Sequence, residues 1–131
     1  MANSTTQLME QFKEGKYRDL LKDIYADEGM LAYQEERYEK ALQSFEEIFG
    51  AKEVEIYSAP GRSEVGGNHT DHQYGKVLAT SINLDAIAIV AKTDDNKIRL
   101  KSEGYNMIET GLDSMEAKES AYGTSEALIE G

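Results

Sequence analysis

The hydrophobic pattern of this 131-residue chain changes period at Gly50, and that switch confines it to folds that join a helical part to a sheet. Before Gly50 there is no proline, and apolar side chains recur at helical spacing. Leu20, Leu21, Ile24 and Tyr25 form a first set, and Tyr38, Ala41, Leu42, Phe45, Ile48 and Phe49 a second. The second follows i, i+3, i+4, i+7, one face of an amphipathic helix, and Gly50 stands where a C-terminal cap belongs. Gly15 and Gly29 are expected to separate shorter helices.

After Gly50 the period falls to two, with β-branched runs. "EVEIYS", "KVLATSINL", "AIAIVAKT", "KIRLKS" and "NMIETGL" read as strands, and "TDDN" and "SEGYN" as turns. "INLDAIAIVA" is apolar nearly throughout, which suits a strand buried on both faces. "YGTSEALIEG" opens like a helix, with Thr124 or Ser125 as N-cap, and stops after hardly two turns. A helix that short is marginal by itself, so the chain reads as the N-terminal piece of something longer, with a naturally short terminal helix as the alternative. The expected fold is α+β: a helical segment over residues 1–50, then a domain over 51–131, incomplete at its C-terminus, with a mixed or antiparallel sheet of about five strands and one crossing helix. "EERYEKALQSFEEIFG" is also similar to one helix of a tetratricopeptide repeat, but no second copy follows, and a solenoid needs about three.

Composition removes several function classes. With no cysteine, a disulfide framework and a thiolate metal site are excluded. A formal net charge of −11 repels nucleic-acid phosphate, and no basic stripe offsets it. No apolar run approaches the ~20 residues that span a bilayer. The first residues lack the apolar core of a signal peptide. The expectation is a cytoplasmic protein that binds neither nucleic acid nor membrane.

The stretch Ser58–Asp85 holds the single proline, four of the eleven glycines and both histidines. Pro60-Gly61 reads as a turn that ends a strand. Gly66-Gly67 permits positive φ and close approach of a ligand to the backbone. Asn68, His69, Asp71 and His72 then place four hydrogen-bonding side chains in five positions. Polar groups on a glycine-hinged loop between two strands suit a hydroxyl-rich ligand, because each hydroxyl needs a donor and an acceptor. The loop is expected to lie at a concave site with Asp71 pointing into it. Three other readings stand beside this one. The loop could be a polar surface turn with local backbone caps. "HTDH" could ligate a metal, although two histidines without cysteine are thin for a transition ion. A phosphate loop fits least, since the spacing is neither GxxxxGK[ST] nor GxGxxG.

"APGRSEVGGNHTDH" resembles the N-terminal signature of galactokinases, A-P-G-R-x-N-x-I-G-E-H-T-D-Y, in the GHMP superfamily that also holds homoserine, mevalonate and phosphomevalonate kinases. "GKVLATSINLD" continues the resemblance, which covers about residues 50–131. It implies a domain like ribosomal protein S5 domain 2, truncated here, in a parent enzyme that uses ATP and Mg2+ to phosphorylate the anomeric hydroxyl of galactose. Carried over by position, Arg62 would sit near the transferred phosphate and the anomeric hydroxyl as the catalytic residue. His69 and Asp71 would bind sugar hydroxyls, Asp71 accepting from those at positions 3 and 4. Asn68 stands where the family has a glutamate that holds the 6-hydroxyl. Glu64 replaces the usual asparagine and His72 the usual tyrosine. Losing a carboxylate at position 68 removes a charge-assisted hydrogen bond of ~1.5–3 kcal/mol, which puts the exact sugar in question.

The family's second signature, P-x-G-x-G-L-S-S-S-A, wraps ATP phosphates and precedes the catalytic aspartate; no such run occurs in these residues. The chain is therefore expected to supply the sugar-binding half, with no ATP, Mg2+ or other metal bound to it. A non-catalytic sugar-binding or sensor module, or a kinase for a related sugar, is the alternative. An interaction module in residues 1–50 is a third. Apolar residues such as Ile87, Ile89 and Val90 would lose helical cover in a truncated domain, and a homodimer through that sheet face or through exchanged helices is expected.

Overall fold

The computed structural model describes residues 3–67, 70–112, 119 and 122–130, without the side chains of Asp71, Glu126 and Glu130. The chain divides into two compact units, Met1–Ala91 and Lys92–Gly131.

The first unit opens with a two-residue strand, β1 (Asn3–Ser4), and helix α1 (Thr5–Lys13). Ser4 and Gln7 form a reciprocal capping box. The Ser4 hydroxyl accepts from the Gln7 amide and the Gln7 side chain accepts from the Ser4 amide, both at 3.2 Å. Helix α2 (Arg18–Tyr25) ends on Ala26, which takes the left-handed conformation at φ 52°. A 3-10 turn (Glu28–Met30) leads into α3 (Leu31–Phe49). Gly29, read as the separator, lies inside that turn; Ala26 reverses the chain instead, with its N–H bonded to the Lys22 carbonyl. Gly50 caps α3 at φ 77°, as its position implied.

The helices bury a small core of Leu8, Phe12, Leu21, Tyr25, Tyr38, Leu42 and Val54. Phe12 stacks on Tyr38 with ring centroids 5.4 Å apart. Thr5, fully buried, donates to a Glu46 carboxylate oxygen at 2.6 Å, which fastens α1 to α3. The α2 stripe is only half used: Leu21 and Tyr25 face the core, whereas Leu20 and Ile24 are about half exposed.

Strand β2 (Glu53–Gly66) pairs with β1 and, along nearly its whole length, with β3 (Leu78–Val90), both antiparallel. Two expectations change here. Pro60-Gly61 does not end a strand; β2 runs through it and the irregularity is taken up in the ladder. Pro60 pairs with Asp85 and Arg62 with Ser81, so β3 carries two extra residues at that point. "KVLATSINL" and "AIAIVAKT" are not two strands either, because a single β3 crosses both. Nor is β3 buried on both faces. Ile87 and Ile89 pack against the helical core, while Leu84 and Val90 are exposed. The uncovered isoleucine face expected from the sequence is thus partly sheltered by the chain's own helices.

Cover fails toward the other end of the hairpin. Val54 is buried and Ile56 half-buried, whereas Arg62, Ser63, Glu64 and Val65 are all exposed. Arg62 therefore sits on a stretch of the ladder whose side chains the helices leave uncovered.

In the second unit, β4 (Lys97–Leu100) and β5 (Ile108–Gly111) form an antiparallel pair, followed by a six-residue helix, α4 (Ser125–Glu130). Asp94–Asn96 and Glu103–Tyr105 bend where turns were read. Glu109 accepts from both Lys97 and Arg99, and Arg99 also pairs with Asp95. Among the described residues the chain is α+β with antiparallel sheets and an N-terminal helical part.

Candidate functional site

The glycine-hinged loop spans positions 67–77 between β2 and β3. Gly67 lies at φ 107°, and a Cβ there would meet the Lys76 carbonyl oxygen at 2.5 Å and Val77 Cα at 2.7 Å. Only glycine lets the two loop ends approach this closely. Inside the loop, Thr70 N–H donates to the Gly67 carbonyl at 3.2 Å. The Thr70 carbonyl accepts from Gln73 at 3.0 Å and from Gly75 at 2.8 Å. These bonds wind Asp71–Gln73 into a 3-10 turn. Tyr74 follows at φ 60°, fully exposed.

The structure places the sequence-predicted site residues unevenly. Arg62 lies on the exposed end of β2, paired with Ser81, and the Asp71 backbone opens the 3-10 turn. Asn68, His69 and the Asp71 side chain lie outside what the structure describes, so their convergence on Arg62 is untouched by it. A groove of about 560 Å³ is lined by Leu8, Phe12, Leu20, Ile24 and Tyr57 among others, and none of the described residues from 60 to 77 is among them. Among the described residues no group of three or more His, Asp or Glu side chains could hold a metal ion, and no loop with paired glycines opens an α-helix.

Sequence reasoning missed a densely bonded polar cluster of the first unit, centred on Asp85, which pairs with Pro60 in the ladder. The Asp85 side chain, only 4% exposed, accepts from Arg37 Nη1 at 2.6 Å through Oδ1. Its Oδ2 accepts from Ser58 Oγ at 2.6 Å and from Tyr25 OH at 2.7 Å. Arg37 Nη2 donates to the Asp85 carbonyl at 2.8 Å, and Nη1 also reaches Gln34 Oε1 at 3.1 Å. Tyr38 OH lies 3.0 Å from Tyr25 OH and supplies the donor there, since the Tyr25 proton goes to Asp85. Burial by itself would raise the Asp85 pKa, but the bonds from Ser58, Arg37 and Tyr25 outweigh it and hold the carboxyl below its ordinary value. Burial, then the bonds to Tyr38 and Asp85, pushes the Tyr25 hydroxyl well above its ordinary value. The available signal was a lone carboxylate in an otherwise uncharged 13-residue strand, a charge that needs a buried cation.

Comparison with known proteins bears on the same segment. Residues 43–92 match the family model described as the galactokinase galactose-binding signature. The chain carries the galactokinase signature. It is 36% identical over 88 residues to a galactokinase of Enterococcus faecalis, which covers 67% of this chain and 22% of that protein. It is 37% identical over 81 residues to the galactokinase of Lactococcus lactis subsp. cremoris (59% of this chain, 20% of that protein). With the galactokinase of Schizosaccharomyces pombe the figure is 38% over 66 residues, 50% of this chain and 13% of that protein. The chain spans about a fifth of the length of the bacterial relatives it matches. No solved structure matches, so the likeness to ribosomal protein S5 domain 2 stays a sequence-based expectation. No described helix is long and apolar enough to cross a membrane.

Proposed function

We propose that this chain is the galactose-recognising N-terminal part of a galactokinase, an enzyme that transfers the γ-phosphoryl group of ATP to the anomeric hydroxyl of galactose in the cytoplasm. The match of residues 43–92 to the galactose-binding signature carries the reading. Arg62 is exposed on β2, four residues before Gly66, where the ladder with β3 ends, which supports the reading.

Each residue then has a task. Asp71 and His69 orient the sugar by accepting and donating hydrogen bonds at its ring hydroxyls. Asn68, neutral where relatives of this pattern place a carboxylate, both donates and accepts, so it binds a hydroxyl without charge assistance. Arg62, a planar fork of donors, is suited to the negative charge that develops on the phosphoryl group and the attacking oxygen. ATP and Mg2+ belong to the parent enzyme; they supply the phosphoryl group and the charge neutralisation, with no ligands to name in this chain.

Isothermal titration of galactose into the chain tests this reading, with Asp71→Ala and glucose as controls. Saturable heat with galactose that is lost in Asp71→Ala is expected. Equal binding of galactose and glucose, or galactose binding untouched by Asp71→Ala, overturns it.

A further inference from the structure

The Arg37–Asp85 cluster lies beside a defect that the signature itself creates. Pro60 stands directly opposite Asp85 in the ladder and has no N–H to offer. The Asp85 carbonyl is satisfied from outside the sheet instead, by Arg37 Nη2 on α3 at 2.8 Å. Immediately beyond, regular pairing stops until Arg62 meets Ser81. Gly61 is pressed into this gap, where a Cβ would lie 3.1 Å from the Leu84 carbonyl oxygen and 3.3 Å from the Ile82 side chain. The gap is thus flanked by Asp85, whose carbonyl accepts from a helix side chain in place of the ladder, and by Arg62.

The rest of the cluster ties the same spot from every side. Ser58 on β2 bonds the Asp85 carboxylate across the ladder, and Tyr25 bonds it from α2. Alternation along β2 puts Val54, Ile56, Ser58 and Pro60 on one side, and Arg62 is the first residue to pair again after the break. Beyond Pro60 the described residues form a two-stranded ladder whose side chains, Ile82 apart, are exposed, and such a ladder has little stability of its own. Its position is set where it leaves the helices.

We propose that Arg37 is a positioning residue for Arg62. Through Asp85 it fixes the proline-made break in the ladder, and so makes the helical segment part of the sugar-site machinery. The inference rests on the galactose reading for its ligand but not for its geometry.

The test compares Arg37→Met with Leu42→Ala in the full chain, by amide hydrogen exchange and by galactose titration well below each melting temperature. Leu42 is fully buried on the same helix and packs in the core with Tyr25 and Tyr38, but its apolar side chain makes no hydrogen bond to the cluster. It reports what general loosening does. Arg37→Met is expected to speed exchange at the amides from Ser58 to Ser63 by about tenfold or more while α1 and β4–β5 stay protected, and to weaken galactose about tenfold. Leu42→Ala is expected to change galactose affinity less than about twofold. Equal effects of the two variants on affinity, or unchanged exchange at Ser58–Ser63 in Arg37→Met, overturn the proposal. Should the unaltered chain bind no galactose, the functional reading fails and exchange alone decides the positioning role. Should Arg37→Met not fold, Ser58→Ala, which cuts only the link across the ladder, is expected to shift the same amides to a smaller degree; no shift overturns the proposal.

Discussion

Replacing Arg37 by methionine probes the best-defined polar feature of the molecule. The substitution keeps most of the aliphatic volume and removes three hydrogen bonds, to Asp85 Oδ1, the Asp85 carbonyl and Gln34. Asp85 Oδ2 keeps Ser58 and Tyr25, but Oδ1 loses its partner while its side chain stays 4% exposed. Breaking a buried pair from one side costs ~3–5 kcal/mol. Arg37 is a quarter exposed, so water can enter where its guanidinium stood, and the cost falls to about 2–3 kcal/mol. For a unit of this size that lowers the melting temperature by about 10–20 °C. Urea unfolding of the two proteins, read at equal m, gives the difference directly. The double variant Arg37→Met/Asp85→Leu removes the orphaned charge and is expected to recover more than half of the loss. The Arg18–Glu35 pair offers a contrast, since Arg18 is 62% exposed and water replaces it at Glu35, so Arg18→Met is expected to cost under about 1 kcal/mol. An Arg37→Met protein within about 0.5 kcal/mol of the parent would refute the reasoning, because the ion pair would then contribute nothing beyond its own desolvation.

Stability should fall at both ends of the pH range. The folded Asp85 pKa is depressed, so its contribution is present above the unfolded value near ~3.9 and is lost as pH drops through the folded one. The folded Tyr25 pKa is raised, so its contribution is complete below ~10 and fades as pH climbs past that value. Urea midpoints at pH 3, 7 and 11 check both, and Tyr25→Phe is expected to flatten the alkaline side. Gly67→Ala forces a side chain into a φ of 107° and against the Lys76 carbonyl; it is expected to cost about 1–3 kcal/mol of local order and to abolish galactose binding, as titration and amide exchange would show. A coupled assay is expected to find no galactose-dependent ATP turnover by this chain, whose sequence has no serine-rich phosphate loop; turnover lost in Arg62→Ala would contradict that.

The helical half was largely legible in the sequence because its signals are local. The i, i+3, i+4, i+7 set and Gly50 mark the second half of α3, and Tyr38 and Leu42 are buried as that spacing implies. The reversal at Ala26 was not legible: alanine carries no left-handed preference, and tertiary packing of Leu21 and Tyr25 sets it. In the sheet, the extended runs were recognisable but their limits were not. Asp85 and Pro60 look like punctuation in a sequence, yet each compensates the other through Arg37, a residue 48 positions away from Asp85. For the same reason the galactose signature could be read from contiguous residues, whereas the cluster that anchors it depends on contacts among four separate elements.

The central claim is that galactose binds at the end of the β2–β3 hairpin, and mapping the sugar onto the amide resonances of the isotopically labelled chain tests it most directly. Galactose is expected to shift, in a saturable manner, the amides of Arg62, Gly67 and the loop through Tyr74, and to leave those lining the groove beside Leu20 and Ile24 unmoved. Saturable shifts centred on that groove, or none anywhere at sugar concentrations that saturate intact galactokinases, would contradict the account.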